Sequence, residues 1–315
     1  MNEIINQIIL GIESGSIYAL IALGYTMVYG IIRLINFAHG DFIMVACYMI
    51  YTFFFLSKMD LVLAIVLSML ITVLLGILTE RIAYRPLRKK KSPSITSLIT
   101  AIAVSLLLEN SFQGIYGGDS KMLSDLIEKK VYHIGGISFD NISIIIIVVT
   151  IITMVSLNLF IKKTKSGKAM RAVSENPDAA KLMGINIDKT IVLTFVIGTF
   201  LASIASVMYV AKYSNIEPFL GSNLGLYAFI AAVVGGIGSI PGACVGGFII
   251  GLVKILPNII GINSAFSEIF LFGILIIILL FKPAGLFGKN VREKVWLWIK
   301  ILIQWFHFSL EGNLT

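Results

Sequence analysis

Nine long apolar runs limit what this chain can fold into more than any other feature. They cover roughly residues 4–29, 42–56, 61–79, 94–116, 142–161, 190–211, 224–234, 242–256 and 265–281. A helix that crosses about 30 Å of hydrocarbon needs about 20 mostly apolar residues. Most of these runs are close to that length, and they are continuous rather than alternating, which excludes a β-barrel. The composition agrees: 57% of the 315 residues are apolar and 13% are charged, against about 25% charged in soluble proteins. A soluble domain of this size could not hide so much apolar surface from water. An ordinary soluble enzyme, a disordered chain and a nucleic-acid-binding module are thereby excluded. The reading is an all-α polytopic transmembrane helical bundle of eight to ten segments, some of them broken.

Loop charges orient the bundle. Six basic residues in 80–93 (Arg81, Arg85, Arg88, Lys89, Lys90 and Lys91) stand against Glu80 alone. Seven basic residues in 162–189 stand against Glu175, Asp178 and Asp188. Between them, 117–141 holds three lysines and four acids. The positive-inside bias puts the two basic loops in the cytoplasm and 117–141 outside. The tail from Lys282, with five basic residues against Glu293 and Glu311, also falls inside. The N-terminus is then outside if the first two runs each cross once. The net charge of +8 is thus a topology signal rather than a nucleic-acid signal. No secretory leader is evident, since the earliest charges are Glu3 and Glu13. Cys47 and Cys244 lie in apolar runs and read as small core residues. Glu13, Glu109, Lys254 and Glu268 are ionisable residues within apolar runs. Glu109, Lys254 and Glu268 lie near run ends, within reach of headgroups, and Glu13 is the deepest.

Three constellations stand out. In the cytoplasmic loop, Asn176 suits an N-cap, Pro177 the first helical position, Asp178 the positive end of the helix dipole and Gly184 the position just past the end. The spacing predicts a short helix over 177–183 that follows Glu175 and leaves Ala179, Ala180, Leu182 and Met183 as small and apolar surface. It reads either as a docking element for a soluble partner or as a loop helix packed on its own protein. The second is Gly235-Gly236-Ile237-Gly238-Ser239-Ile240-Pro241-Gly242, which breaks an apolar region. Its glycines allow close helix packing, or bare backbone facing a substrate, and no phosphate-binding loop ending is present. The third is Asn36-Phe37-Ala38-His39-Gly40-Asp41. With no tied nucleophile and no second histidine at ligand spacing, it reads as a cap, a turn or the polar lining of a gap, not as a metal or catalytic centre. The candidate path-lining residues are therefore Asn36, His39, Gly40, Gly235, Gly236 and Gly238.

The end of the chain is different again. From Lys294 to Leu310 it is too short to span, it carries Trp296, Trp298 and Trp305, and its polar residues Glu293, Lys300, Gln304, His307 and Glu311 fall on one helical face. It reads as an amphipathic helix lying along the lipid surface. The expected division is a permease domain over 1–289 and an interfacial tail over 290–315.

Several strings together resemble a known family. Gly15 to Ile32 (with Tyr18-Ala19-Leu20-Ile21-Ala22-Leu23-Gly24-Tyr25), Asn36-Phe37-Ala38-His39-Gly40, Glu80-Arg81-Ile82-Ala83-Tyr84-Arg85-Pro86, Leu193 to Gly198 and Gly235 to Ala243 are similar, in order, to the membrane subunit of bacterial branched-chain amino acid ABC importers. The resemblance runs from about residue 5 to about 289. It implies a non-catalytic, multi-pass permease of the bacterial plasma membrane with no cofactor in this chain, because ATP is bound by partner subunits. The implied partners are two ATP-binding cassette ATPase subunits, a second and distinct permease subunit forming a heterodimer, an extracytoplasmic amino acid binding protein and membrane lipid. Nucleic acid is not among them. Importer permeases carry a cytoplasmic Glu-Ala-Ala-x-x-x-Gly signature that docks in an ATPase groove. Here the string is Asp178-Ala179-Ala180-Lys181-Leu182-Met183-Gly184, with Asp in place of Glu and without the downstream Leu-Pro. Transport by alternating access of leucine, isoleucine and valine is what the resemblance implies. The competing readings are a urea or short-amide ABC permease, an ion-coupled secondary transporter and a membrane-embedded enzyme using His39 and Asp41.

Overall fold

The computed structural model describes residues 2–32, 36–123, 126–134 and 137–288. Its helices are α1 (Asn2–Ile32), α2 (His39–Ile50), α3 (Leu61–Thr79), α4 (Arg85–Lys89), α5 (Ser94–Tyr116), α6 (Asn141–Lys163), α7 (Lys165–Glu175), α8 (Pro177–Leu182), α9 (Ile187–Tyr213), α10 (Leu220–Gly235), α11 (Ile240–Ile260) and α12 (Ser267–Phe281). A π-helical stretch, Tyr51–Leu56, prolongs α2, and another, Glu80–Tyr84, joins α3 to α4. Among the described residues, eight helical segments are long and apolar enough to cross a membrane, and α10, with 16 residues, is shorter. Each apolar run of the sequence is therefore a helix. The proposed surface helix at 294–310 lies outside the described residues.

The helix starts follow local chemistry. Asp60, Asp140, Thr164, Asn176, Asn186 and Ser239 each accept a backbone N–H in the first turn of the helix that follows. These bonds satisfy amides that lack an intrahelical partner. Among the described residues, strands occur only as short pieces: β1 (Lys121–Met122) pairs with β4 (Asn215–Ile216), and β2 (Val131–Ile134) pairs with β3 (Ile137–Asp140), both antiparallel. The amide of Ser138 in β3 donates to Asn6 Oδ1 at 3.0 Å. The N-terminal end of α1 thus meets the loop that the charge bias places outside.

The bundle has a core and a rim. From Gly15 to Val28, α1 is buried on every side, enclosed mainly by α11, α9, α10 and α6. The rim helices reverse the pattern of a soluble protein. On α3 the packed face is Ala64, Ser68, Thr72, Gly76 and Thr79, while Leu70, Leu74 and Leu78 are exposed. Without water to drive apolar side chains inward, small residues face the neighbouring helix and large ones face lipid. The same physics sets the α1–α11 contact, where a Cβ on Gly251 would collide with the backbone of Gly11 and Gly15. Cys47 and Cys244 are free and buried, as their surroundings predict.

Candidate functional site

The short helix of the 162–189 loop is built as its punctuation predicts. Asn176 Oδ1 accepts from Ala179 N at 3.0 Å, Pro177 sits in the first turn, and Gly184 reverses the chain at φ +80°. The next residue closes the turn, with Ile185 N donating to Ala180 O at 3.0 Å. Of this element, Ala180 is buried, whereas Glu175, Asp178 and Ala179 face solvent. Leu182 and Met183 are 89% and 83% exposed. Two large apolar side chains at the tip of a capped helix are thus left exposed by the described residues. The preceding α7 anchors the unit: Met170 and Val173 are buried, and α7 packs on α1 and α9.

The polar patch begins α2 inside the bundle. Asn36 O accepts from His39 N at 3.1 Å, forming the first turn. Glycines let the backbone in: a Cβ on Gly40 would overlap the Gly221 carbonyl and crowd Gly225 of α10, and one on Gly24 would meet the His39 ring 2.6 Å from Nε2. The Tyr25 ring stands edge-on to His39 at 5.9 Å. Neither ring nitrogen of His39 completes a hydrogen bond, though the Ile21 backbone approaches the ring. Asp41 has no exposed surface and faces Ser105 and Glu109 of α5, again without a completed hydrogen bond to either carboxylate oxygen. Asn36 Oδ1 accepts from Tyr84 Oη at 2.8 Å, while its Nδ2 is unsatisfied, as are the hydroxyls of Tyr25 and Thr26. Buried polar groups are nearly always paired, and this patch gathers several whose bonds to the described residues are incomplete.

The glycine turn between α10 and α11 is a separate structure. Gly236 and Gly238 have φ of +105° and +87°, which L-residues with a side chain rarely adopt. Gly235 lies against the Gly242 carbonyl, Gly236 against Gly285 and Gly288, and Gly238 near Gly30. The carbonyls that end α10 are taken up, since Leu286 N donates to Val234 O and Phe287 N to Gly235 O, each at 2.9 Å. Of the six candidate lining residues, Asn36, His39 and Gly40 come together, while Gly235, Gly236 and Gly238 form this second turn, whose flanking α10 carbonyls are taken up by backbone amides.

The ionisable residues within the apolar runs require one correction. Glu109 does not reach headgroups; it is 4% exposed and turned toward Asp41. The signal was in the sequence, because Ser97, Ala101, Ser105 and Glu109 recur every fourth residue and all are buried on one face of α5. Lys254 donates to Tyr18 Oη at 2.9 Å and lies 4.2 Å from the Tyr227 ring centroid. Glu13 is ion-paired with Lys212, which also bonds Asp140 Oδ2 at 3.0 Å. Tyr84, Tyr25 and Thr26 are site neighbours that the spacing of motifs does not reveal.

Residues 7–279 match the family model described as the permease component of the branched-chain amino acid transport system. Among curated relatives, the high-affinity branched-chain amino acid transport system permease protein BraD of Pseudomonas aeruginosa is 38% identical over 92% of this chain and 98% of its own length. The corresponding protein LivH of Escherichia coli K12 is 39% identical over 92% and 97%. A probable branched-chain amino acid permease of Methanocaldococcus jannaschii is 30% identical over 90% and 93%. A solved structure, PsaBC from Streptococcus pneumoniae in complex with Fab, aligns over 91% of this chain with a TM-score of 0.44 and 15% identity, below what a shared fold requires.

Proposed function

The chain belongs to the family of permease components of branched-chain amino acid transport systems, and from that premise we propose that it is the membrane gate of an ATP-driven importer of leucine, isoleucine and valine. It catalyses no bond change; its work is to alternate the side to which a path is open. ATP is bound by two cassette ATPase subunits, a second, distinct permease subunit completes the path, and an extracytoplasmic binding protein delivers the amino acid. The observation that carries the reading is the exposure of Leu182, the last residue of α8, and of Met183 just after it. That small apolar knob, with Glu175 through Gly184 around it, fits a groove on a soluble motor subunit.

What the chain does with the motor's movement follows from its connections. Only Met183 to Asn186 separate α8 from α9, and the side chain of Asn186 caps α9. The middle of α9 carries Gly198, where a Cβ would lie 2.7 Å from Val28 Cγ2 of α1 and 4.0 Å from His39 Cε1, so this stretch of α9 packs close to both. Displacement of α8 therefore loads α9, and α9 bears on the polar patch. A ligand or nucleotide that prefers one arrangement shifts the population toward it. The ammonium and carboxylate of an amino acid need polar partners in hydrocarbon. Asn36, His39 and the main chain at Gly40 are the partners assigned here, with Gly235, Gly236 and Gly238 holding the neighbouring helices at the required closeness.

The test uses the assembled importer. Leu182→Asp and Met183→Asp should abolish co-purification of the ATPase subunits and leucine uptake together, while the permease still reaches the membrane. ATPase association at the parental level would overturn the docking reading. Uptake by the lone permease in liposomes under an ion gradient would replace the motor with a secondary-transport mechanism.

A further inference from the structure

The cytoplasmic end of the bundle holds an ion-pair network that neither the docking helix nor the polar patch accounts for. Asp188, in the first turn of α9, uses both carboxylate oxygens: Oδ2 accepts from Arg85 Nη2 and Oδ1 from Arg88 Nη2, each at 2.7 Å. Arg88 Nη2 also donates to Glu80 Oε1 at 2.8 Å. Glu80 has no exposed surface. A buried carboxylate is costly unless paired, so Glu80 fixes where Arg88 sits. A cleft of about 870 Å³ opens between α4 and α8, and Arg88 and Asp188 form part of its wall.

The same short stretch reaches the polar patch. Glu80 and Tyr84 bound the π-helical stretch between α3 and α4. Tyr84 donates its hydroxyl proton to Asn36 Oδ1 at 2.8 Å, and its ring lies 5.4 Å from that of Phe195 on α9. The path from the docking loop to Asn36 is therefore continuous: Asp188 to Arg85 and Arg88, through the π-helical turn to Tyr84, then to Asn36. π-helical turns close hydrogen bonds one residue wider than those of an α-helix and recur at functional sites. Here the turn is tied at one end to α9, through Glu80, Arg88 and Asp188, and at the other to Asn36 through Tyr84.

We propose that this clamp is the link by which movement of the docking loop is delivered to the substrate path, with Asp188, Arg88 and Tyr84 as positioning residues for transport. They act through Asn36 and touch no substrate. The inference rests on the docking role of α8. It adds that α9 alone does not carry the motion: the α3–α4 joint must travel with it. Charge-assisted contacts suit this task, because two short bonds to one carboxylate fix orientation as well as distance.

The experiment reconstitutes the complete importer with Asp188→Asn, Asp188→Glu or Tyr84→Phe in this chain. It measures ATPase co-purification, ATP hydrolysis and leucine transported per ATP consumed. Asp188→Asn and Tyr84→Phe should keep the ATPases bound and ATP hydrolysed, while transport per ATP falls roughly tenfold or more, as loss of a charge-assisted or buried hydrogen bond implies. Asp188→Glu should restore part of the ratio. A purely structural clamp would lower assembly, hydrolysis and uptake together at an unchanged ratio, and that result would overturn the proposal. Should Asp188→Asn fail to assemble, Tyr84→Phe decides, since it removes one hydroxyl and keeps the ring on Phe195. Failure of the docking reading shows itself separately, as ATPase binding that survives Leu182→Asp.

Discussion

The two breaks in this bundle are alike in sequence and opposite in structure. Both are short polar or glycine-rich interruptions between apolar segments, one at Asn36–Asp41 and one at Gly235–Gly242. At the second, the chain satisfies itself. Gly236 N donates to Ala232 O, Ser239 caps α11, and the backbone of Leu286 and Phe287 takes up the last carbonyls of α10. At the first, side chains of Asn36, His39 and Asp41 are buried with polar atoms left over. An unmade hydrogen bond in such a place costs about 1–3 kcal/mol. On the function proposed above, the glycine turn, with its flanking carbonyls bonded by its own chain, is the mechanical joint and the polar patch is the part that meets substrate.

The sharpest way to break this contrast is Gly235→Val. A Cβ there would run into the Gly242 carbonyl, and its nearest neighbours are all backbone of Gly242 and Ala243, with no flexible side chain to yield. The expected loss exceeds about 3 kcal/mol, the upper range for overpacking a tight contact. It should show as little folded protein after detergent extraction and a depressed melting temperature. A well-folded Gly235→Val protein that fails only in transport would move this turn into the substrate path and erase the distinction.

His39→Leu probes the other break with a smaller effect of opposite sign. It removes two unsatisfied ring nitrogens and leaves a side chain that can pack against Tyr25. The expected outcome is unchanged or raised thermal stability, by up to about 1–2 kcal/mol, together with loss of leucine uptake. Stability bought at the expense of activity is the signature of a functional polar group. A clear drop in melting temperature would mean that His39 has a structural partner and that the patch is ordinary core.

The ease of reading differed between levels for physical reasons. Helix positions were open to inspection because lipid demands about 20 apolar residues in a row and because a cap must satisfy backbone amides locally, though of the caps only Asn176 was read from the sequence. The short cytoplasmic helix was legible for the same cause: Asn176, Pro177 and Gly184 act within one or two turns. Glu109 was misread because its distance from the run end was weighed and its four-residue spacing from Ser105 was not. Tyr84 at Asn36 and the pairing of Asp188 with Arg85 and Arg88 join residues tens of positions apart. No local rule encodes such contacts; they arise only once α3 and α9 pack. The small strands at Lys121–Met122 and Asn215–Ile216 are long-range pairings of the same kind.

The smallest predicted effect concerns a polar cluster that is fully used, at the outer end of the bundle, and it supplies the reference for both breaks. Asp140 caps α6 through Ser143 N at 2.6 Å and pairs with Lys212, which also holds Glu13. Burial disfavours its ionised form, but the hydrogen bonds from Ser143 and the Lys212 ammonium outweigh burial and hold its carboxyl below the usual aspartate range. The fold therefore prefers the ionised form. That stabilisation is whole above the unfolded value of about 3.9 and is lost as pH falls through the lower folded value. Asp140→Asn keeps a competent cap and removes only the charge, so the cost at neutral pH is about 1 kcal/mol or less for a partly exposed pair. Melting temperatures of the parent and the Asn variant should differ slightly at pH 7 and converge as the solution is acidified below the aspartate range. A gap that widens on acidification would show that Asp140 is held neutral, and the outer cluster would then belong with the unmet polar groups of the patch rather than with the satisfied turn.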